Sequence, residues 1–117
     1  MEVNFYKEKG LICYVIDGVI TAKDLRELQA ARDRQAGSDV IKVMSIVPSF
    51  KGYESFETMK KAILEDIQML PKLSKYAMLT DISLLRKFVF VLNLLIPKSK
   101  LKAFPLHDRM LAENWLD

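Results

Sequence analysis

Leu11–Ile16, with the sequence LICYVI, is the stretch that decides the fold class. It is a continuous run of apolar residues of strand length, and such runs are typical of strands covered on both faces. Thr21 and Asp24 follow with a capping-box pattern, which predicts a helix that stops at Gly37. A covered strand followed at once by a capped helix indicates an α/β unit.

Four more strands are predicted around this unit. Val3–Lys7 is expected to form a hairpin with LICYVI through a turn at Lys9-Gly10, and Asp17-Gly18 is expected to turn the chain again. The downstream strands are predicted at Val40–Val47, which Pro48 ends, at Tyr76–Leu79, and at Lys98–Phe104.

Three more helices are predicted between and after these strands. Ser55 is a candidate N-cap for the second helix, in which apolar residues recur every three or four positions. These apolar residues are Phe56, Met59, Ile63, Ile67 and Leu70. The third helix is predicted at Ile82–Pro97 with Asp81 as its cap, and the last begins after His107-Asp108.

The resulting order of elements is β-β-α-β-α-β-α-β-α. Strands that alternate with helices predict an α/β fold with a single mixed, mostly parallel sheet and right-handed crossovers. No repeat, low-complexity tract or linker interrupts the pattern, so residues 1–117 are expected to form one domain.

Composition narrows the class of protein. The chain has 117 residues, a net charge of +3 and a pI near 9.0, which is too mild to indicate nucleic-acid binding. A single cysteine excludes an internal disulfide, and with one histidine it gives no zinc cluster. The N-terminus lacks a signal-peptide layout, and no apolar window is long enough to span a bilayer. A reducing cytoplasmic setting is therefore expected.

Neither catalysis nor nucleic-acid binding is expected from the residue pattern. A nucleophile needs a neighbouring base, yet Cys13 lies in an apolar strand and His107 is expected on the surface. No glycine-rich phosphate loop or metal-ligand spacing occurs, so no cofactor or metal is predicted. Lys98, Lys100 and Lys102 share one side of a strand, but no aromatic residue is interleaved among them for base stacking.

The predicted third helix, ISLLRKFVFVLNLLIP, is more apolar than one buried face requires. Helical spacing places Leu84, Phe88, Val91, Leu92 and Leu95 on the expected core side, with Leu85, Val89 and Ile96 at its margin. The opposite side carries Arg86, Lys87 and Asn93 together with Phe90 and Leu94. Phe90 and Leu94 are therefore predicted to be exposed beside two cations.

Three segments of the chain resemble the SpoIIAA-like family of small bacterial proteins, which is related in fold to STAS domains. They are YVIDGVITAKDL, FKGYESFETMKKAILED and KAFPLHDRMLAENWL, and together they cover nearly the whole chain. The resemblance implies a βα fold with a single mixed sheet, a fold type shared with lipid-carrying CRAL-TRIO domains. It also implies binding of apolar ligands or association with membranes.

The relation to STAS domains implies a second role, as an anti-sigma-factor antagonist that acts through a regulatory protein partner. STAS antagonists are switched by phosphorylation of a serine at the start of the helix after the third strand. Ser49 and Ser55 are the serines nearest that position. The chain has Pro48-Ser49-Phe50-Lys51-Gly52 where those antagonists carry an Asp-Ser-Ser-Gly type of turn.

Four hypotheses account for the apolar third helix. Phe90 and Leu94 anchor in a membrane interface while Arg86 and Lys87 meet anionic headgroups, at the inner face of the membrane. The same patch forms a homodimer seam. An apolar small molecule or lipid occupies a pocket between the second and third helices. That pocket would be lined by Phe50, Tyr53, Phe56 and Phe88. Alternatively, the helix is simply buried.

Overall fold

A computed structural model of the chain describes residues 1–35, 41–95 and 100–117. Its strands and helices follow the predicted order β-β-α-β-α-β-α-β-α. The elements are β1 Glu2–Tyr6, β2 Leu11–Ile20, α1 Ala22–Arg34, β3 Ile41–Tyr53, α2 Phe56–Met69, β4 Leu73–Leu79, α3 Ser83–Leu95, β5 Leu101–Phe104 and α4 Arg109–Leu116. The predicted stops at Gly37 and Pro97 and the strand start at Lys98 lie outside the described residues.

The strands form one five-stranded sheet in the order β1-β2-β3-β4-β5. β1 is antiparallel to β2, and every other neighbouring pair is parallel, so the predicted mixed, mostly parallel sheet is confirmed. The predicted hairpin is also confirmed, because Tyr6 pairs with Leu11 and Gly10 takes the left-handed conformation that the tight turn requires.

The helices cover the two faces of the sheet unequally. On one face, α1, α2 and α3 pack over a core that includes Ile12, Leu28, Val43, Met69 and Val89. On the other face, α4 packs alone over a core that includes Cys13, Met44, Ala77, Ala112 and Leu116. Three successive right-handed crossovers in one direction along a sheet place their helices on the same face, which explains the arrangement.

Local sequence signals fix the starts of two helices. The Thr21 hydroxyl accepts a hydrogen bond from the Asp24 N–H at 3.1 Å, and the Asp24 carboxylate accepts one from the Thr21 N–H at 2.9 Å. At α2, the Ser55 hydroxyl accepts from the Thr58 N–H at 3.1 Å. The predicted caps of both helices are therefore confirmed.

Two predicted breaks in the strands are wrong. β2 continues through Gly18, which adopts a φ of 91° at a register shift instead of turning the chain. β3 continues past Pro48 to Tyr53 and pairs there with the end of β2. Pro48 is tolerated because it lies in the register shift between the Val15–Ile46 and Asp17–Ser49 pairs, where the ladder does not need its missing N–H.

Three neighbouring strands contribute a chain of buried hydroxyl groups beneath the helices. The Tyr14 and Tyr76 hydroxyls are 2.9 Å apart, and Tyr76 donates to the Ser45 hydroxyl at 2.9 Å. Burial raises the pKa of Tyr14 well above its ordinary value, and burial also raises the pKa of Tyr76. Both phenols therefore stay protonated where an exposed tyrosine ionises.

This hydroxyl chain predicts different costs for removing its two phenols. Tyr76→Phe removes the middle member and leaves the other two hydroxyls without their partner, so it is expected to lower the free energy of unfolding by about 2–3 kcal/mol. Tyr14→Phe removes one end and is expected to cost only about 1 kcal/mol. Urea unfolding of both variants measures the difference. Equal losses in the free energy of unfolding would contradict the hydrogen-bonded chain of hydroxyl groups.

The raised phenol pKa values also predict how stability depends on alkaline pH. Below about pH 10 the phenols are neutral in both the folded and unfolded chain, so they contribute no pH dependence. Above that pH the unfolded phenols ionise while buried Tyr14 and half-buried Tyr76 resist ionisation, so the free energy of unfolding is expected to fall. The fall should be shallower in Tyr14→Phe, and an unchanged slope would contradict the assignment.

Candidate functional site

The rotation of α3 about its axis differs from the prediction. Val89, at 5% exposure, is the α3 residue that packs in the core, and Leu85, Leu92 and Asn93 beside it are half-buried. Four residues assigned to the core side are exposed instead, and that assignment is wrong. These residues are Leu84, Phe88, Val91 and Leu95.

A polar contact fixes this rotation. The Asn93 side-chain oxygen accepts a hydrogen bond from the Leu101 N–H of β5 at 3.1 Å, so the Asn93 side of α3 faces the sheet edge. The apolar pattern could not choose the rotation, because α3 is apolar on almost every side.

The prediction that Phe90 and Leu94 are exposed is confirmed. Phe90 is 67% exposed and Leu94 is 72% exposed. With the four residues that were expected in the core, they make the whole outer side of α3 apolar, interrupted by Lys87. The alternative of a simply buried helix is therefore wrong for this helix.

The start of α3 is held differently from the prediction. Asp81 does not cap the helix; its Oδ1 accepts a hydrogen bond from the Leu106 N–H at 3.1 Å. Thr80, which is fully buried, takes the structural role instead. Its hydroxyl accepts from the Ile82 N–H at 3.1 Å and donates to the Val47 carbonyl at 2.9 Å, which ties the start of α3 to β3.

α2 is also turned away from its predicted orientation. Its sheet-facing side carries the buried residues Thr58, Ala62 and Met69. The apolar stripe read from the sequence is exposed at Phe56, Ile63 and Ile67 and half-buried at Met59 and Leu70, and Leu64 is exposed beside it. The inference from amphipathic spacing that the stripe faces the core is therefore wrong at the three exposed positions. The alternative spacing Thr58, Ala62, Met69 was the available signal, but small and polar residues score poorly as a core stripe.

α1, unlike α2 and α3, buries its apolar side and exposes its polar side. It lies on the same face of the sheet, buries Leu25, Leu28 and Ala31, and exposes Lys23 and Arg26 in the ordinary way. The apolar exterior is therefore a property of α2 and α3.

We call this exterior the α2–α3 outer face. It consists of Phe56, Ile63, Leu64, Ile67, Leu84, Phe88, Phe90, Val91, Leu94 and Leu95. The six members on α3, each more than half exposed, alone leave on the order of 600–800 Å² of apolar surface, whereas the largest patch on a typical monomer is roughly 300–600 Å². A surface of this size is typical of an interaction site.

Cations border the outer face. Arg86 and Lys87 are exposed on α3, which carries no acidic residue, and neither forms an ion pair with another described residue. On α2, Lys60 and Lys61 are exposed. Asp66 is held by Arg32 of α1 at 2.8 Å, which neutralises part of the acidic charge on α2. The border of α3 is therefore positively charged.

Of the four predicted pocket residues, only Phe50 and Tyr53 are in ring contact among the described residues. Phe50 and Tyr53 belong to the β3 extension, where their rings meet edge-to-face with centroids 5.7 Å apart. Phe56 and Phe88 are exposed on α2 and α3, and among the described residues no ring contact joins either to that pair. Ser49–Tyr53, which follow the strand end expected at Pro48, are thus part of β3.

The two candidate phosphorylation sites have different structural roles. Ser49 is a β3 residue paired with Asp17 of β2. Ser55 caps α2, and its hydroxyl is also 3.0 Å from the Thr58 hydroxyl.

Cys13 and His107, the possible nucleophile and the possible base, are not placed for catalysis. Cys13 is buried, and desolvation raises the pKa of its thiol, which disfavours the reactive thiolate. His107 is largely exposed, with its Nε2 3.6 Å from Asp108. In the described ranges, no three histidine, cysteine, aspartate or glutamate side chains cluster as they would around a metal ion.

A groove between α3 and the edge strand β5 brings together residues that the sequence did not associate. It has a volume of about 950 Å³ and is open to solvent. Arg86 and Phe90 line it from α3, Lys102 from β5 and Trp115 from α4. We call it the α3–β5 groove. Lys102 and Trp115 were not predicted as site residues, because the pairing of β5 at the sheet edge places the first and the docking of α4 places the second.

The sheet order, the three helices on one face and the single helix on the other define an α/β protein with a SpoIIAA-like fold. The chain is similar in structure to an uncharacterized protein from the DUF3478 family with a SpoIIAA-like fold, from Shewanella loihica PV-4, solved at 2.25 Å resolution. The TM-score is 0.78 at 16% sequence identity, over 99% of this chain and 91% of that one.

The chain belongs to the SpoIIAA-like family, whose sequence profile matches residues 11–117. This confirms the resemblance seen in its three segments. No curated protein matches the chain significantly. Within the described ranges, α3 and the other helices are too short or too polar to cross a membrane.

Proposed function

We propose that this protein binds peripherally to anionic membranes by laying the α2–α3 outer face into the lipid interface. The observation behind the proposal is the outer side of α3, on which Phe90, Leu94 and four further exposed apolar side chains are interrupted mainly by Lys87. A helix with such a face and cations at its border suits the boundary between headgroups and acyl chains.

The dimensions of α3 suit a helix that lies in the membrane plane. Its 13 residues make it about 20 Å long, whereas crossing the hydrocarbon core takes about 30 Å. An in-plane helix buries its outer side to about 5–10 Å, a depth that its apolar side chains reach while the sheet stays in water.

The energies are sufficient for reversible binding. Fully burying one large apolar side chain contributes about 1.5–3 kcal/mol, and each cation near an anionic surface contributes about 1 kcal/mol. Phe90, Leu94, Arg86 and Lys87 therefore supply several kcal/mol before the rest of the face is counted. The proposal includes no catalytic step. Burial raises the pKa of the Cys13 thiol, and His107 is largely exposed beside Asp108.

Sedimentation with vesicles tests the proposal. The protein is expected to pellet with vesicles that contain phosphatidylglycerol in phosphatidylcholine, and much less with phosphatidylcholine alone. Salt should weaken the pelleting without abolishing it, because the apolar contribution is not screened.

Two results would contradict membrane binding. One is protein that stays in the supernatant with every vesicle composition at low salt. The other is a doubled mass by light scattering that Leu94→Asp returns to a monomer, in protein that does not pellet, because a second copy of the chain would then cover the outer face.

A further inference from the structure

We propose that the α3–β5 groove binds the phosphate of an anionic lipid headgroup, which gives the membrane-bound protein a preference for phosphate-bearing lipids. This inference rests on the proposed membrane binding for its biological setting, but the groove itself can be tested on soluble lipid.

Backbone geometry places donors on the outer edge of β5. The Lys100 and Phe104 carbonyls accept hydrogen bonds from the Tyr76 and Thr80 N–H groups at 2.8 and 2.9 Å, so these residues turn their backbone toward β4. Because direction alternates along a strand, Leu101 and Ala103 turn theirs outward, and both line the groove. The outward-facing N–H of Ala103 is thus available to a ligand.

Asn93 supplies a second oriented donor. Its side-chain oxygen accepts the Leu101 N–H at 3.1 Å, and only the oxygen of an amide can accept a hydrogen bond. The amide nitrogen must therefore point away from that contact, and Asn93 lines the groove. Among the described residues, no acceptor is bonded to this nitrogen.

The charges in the groove favour an anion. Arg86, Lys87 and Lys102 line it, and Asp81 is the one acidic residue in its lining. The Lys102 Nζ lies over the Phe104 ring, 5.3 Å from the ring centroid, so it must swing away from that ring to reach a ligand in the groove. One oxygen of Asp81 is already engaged by the Leu106 N–H. The lining therefore offers three cations and oriented N–H donors against one partly satisfied carboxylate, which matches a phosphate with its several acceptor oxygens.

The apolar part of the groove selects a lipid. Val89, Phe90 and Leu101 line one side, and Trp115 lines it from α4. The volume of about 950 Å³ is far larger than a phosphate ion needs and lies in the range of sites for whole small ligands. A phosphate joined to glycerol and the first carbons of acyl chains has the matching combination of charge and apolar surface.

The groove is continuous with the membrane-binding surface. Phe90 and Val91 belong both to the groove lining and to the α2–α3 outer face. When α3 lies in the interface, the groove opens at the level of the headgroups, so a lipid can enter it without leaving the bilayer.

The test is an NMR titration of the full chain with dihexanoyl phosphatidic acid below its micelle concentration. The backbone amide of Ala103 and the side-chain amide of Asn93 are expected to shift in a saturable way. Lys102→Gln should weaken that binding by about tenfold, the effect of losing one hydrogen bond to a charged group. Lys23→Gln removes the same charge from α1, outside both the groove and the outer face, and should leave the affinity unchanged.

Three outcomes would overturn the groove assignment. The first is no shift at Ala103 or Asn93. The second is equal weakening by Lys102→Gln and Lys23→Gln, which indicates surface charge only. The third is that inorganic phosphate alone gives the same shifts with the same affinity, which identifies a free-phosphate site.

Vesicle sedimentation separates this inference from the proposed function. If the protein pellets with anionic vesicles but shows no NMR shifts, membrane binding is supported and the groove assignment is overturned. If the protein shows the NMR shifts but never pellets, the groove assignment is supported and membrane binding is overturned.

Discussion

Combining Phe90→Asp with Leu94→Asp is expected to lower partitioning onto anionic vesicles by about a thousandfold, since each change removes roughly 2 kcal/mol of burial. Both side chains are more than two-thirds exposed, so the folded chain does not depend on them. Their replacement also brings two carboxylates close to anionic headgroups, which adds to the loss.

The matched control for this pair is Ala30→Asp. Ala30 is exposed on α1, outside the outer face, so this change adds one negative charge to the same sheet face at a helix with an ordinary polar exterior. It is expected to weaken partitioning by less than about fivefold. Urea unfolding of each variant checks that the fold is kept. Similar losses in the double variant and in Ala30→Asp would show that charge, not the apolar face, governs binding.

Val89→Asp is expected to destabilise the fold strongly, whereas Val91→Asp is expected to destabilise it only slightly. Val89 is 5% exposed and packs in the core beneath α3, whereas Val91 is 52% exposed on the outer side of the same helix. A carboxylate at the first position is buried without a partner and should cost more than about 4 kcal/mol, enough to unfold a domain of ordinary stability. At the second position the cost should stay below about 1 kcal/mol.

The comparison isolates the effect of burial, because residue type, helix and substitution are the same at both positions. Circular dichroism and urea unfolding measure it. Val91→Asp should remain folded and lose vesicle binding, whereas Val89→Asp should lose the fold. If Val91→Asp were as destabilising as Val89→Asp, the outer side of α3 would have to be packed in the folded protein, and the rotation of α3 described above would be wrong.

The sequence predicted the parts of the fold that depend on local rules. The turn at Gly10 and the caps at Thr21 and Ser55 each require a particular residue at one position, and all three are present as predicted. The order of strands and helices followed from apolar periodicity, which also predicted the mixed, mostly parallel sheet.

The rotation of the helices was beyond local rules. Periodicity finds an apolar stripe and assumes that it is buried, but α2 buries Thr58 and Ala62 and leaves Phe56 and Ile67 in water. On α3, apolar residues occupy almost every direction, so only the tertiary contact from Asn93 to β5 selects the buried side.

The extent of β3 and the composition of the groove were also beyond local rules. Pro48 normally ends a strand, but the register shift opposite β2 accommodates it. Lys102 shares a groove with Arg86 because β5 pairs beside β4 under α3, and Trp115 shares it because α4 docks beside β5; nothing in their sequence spacing indicates either placement.

Quenching by lipids brominated on their acyl chains measures whether the α2–α3 outer face enters the membrane. The chain has one tryptophan, so Phe88→Trp or Phe90→Trp in a Trp115→Phe background gives a single indole on α3, and Ala30→Trp gives a matched control on α1. With anionic vesicles, the indole on α3 should shift to shorter emission wavelength and be quenched by the bromines, while the control should not change. Protein that pellets with the vesicles but shows no quenching from either α3 position would contradict the account.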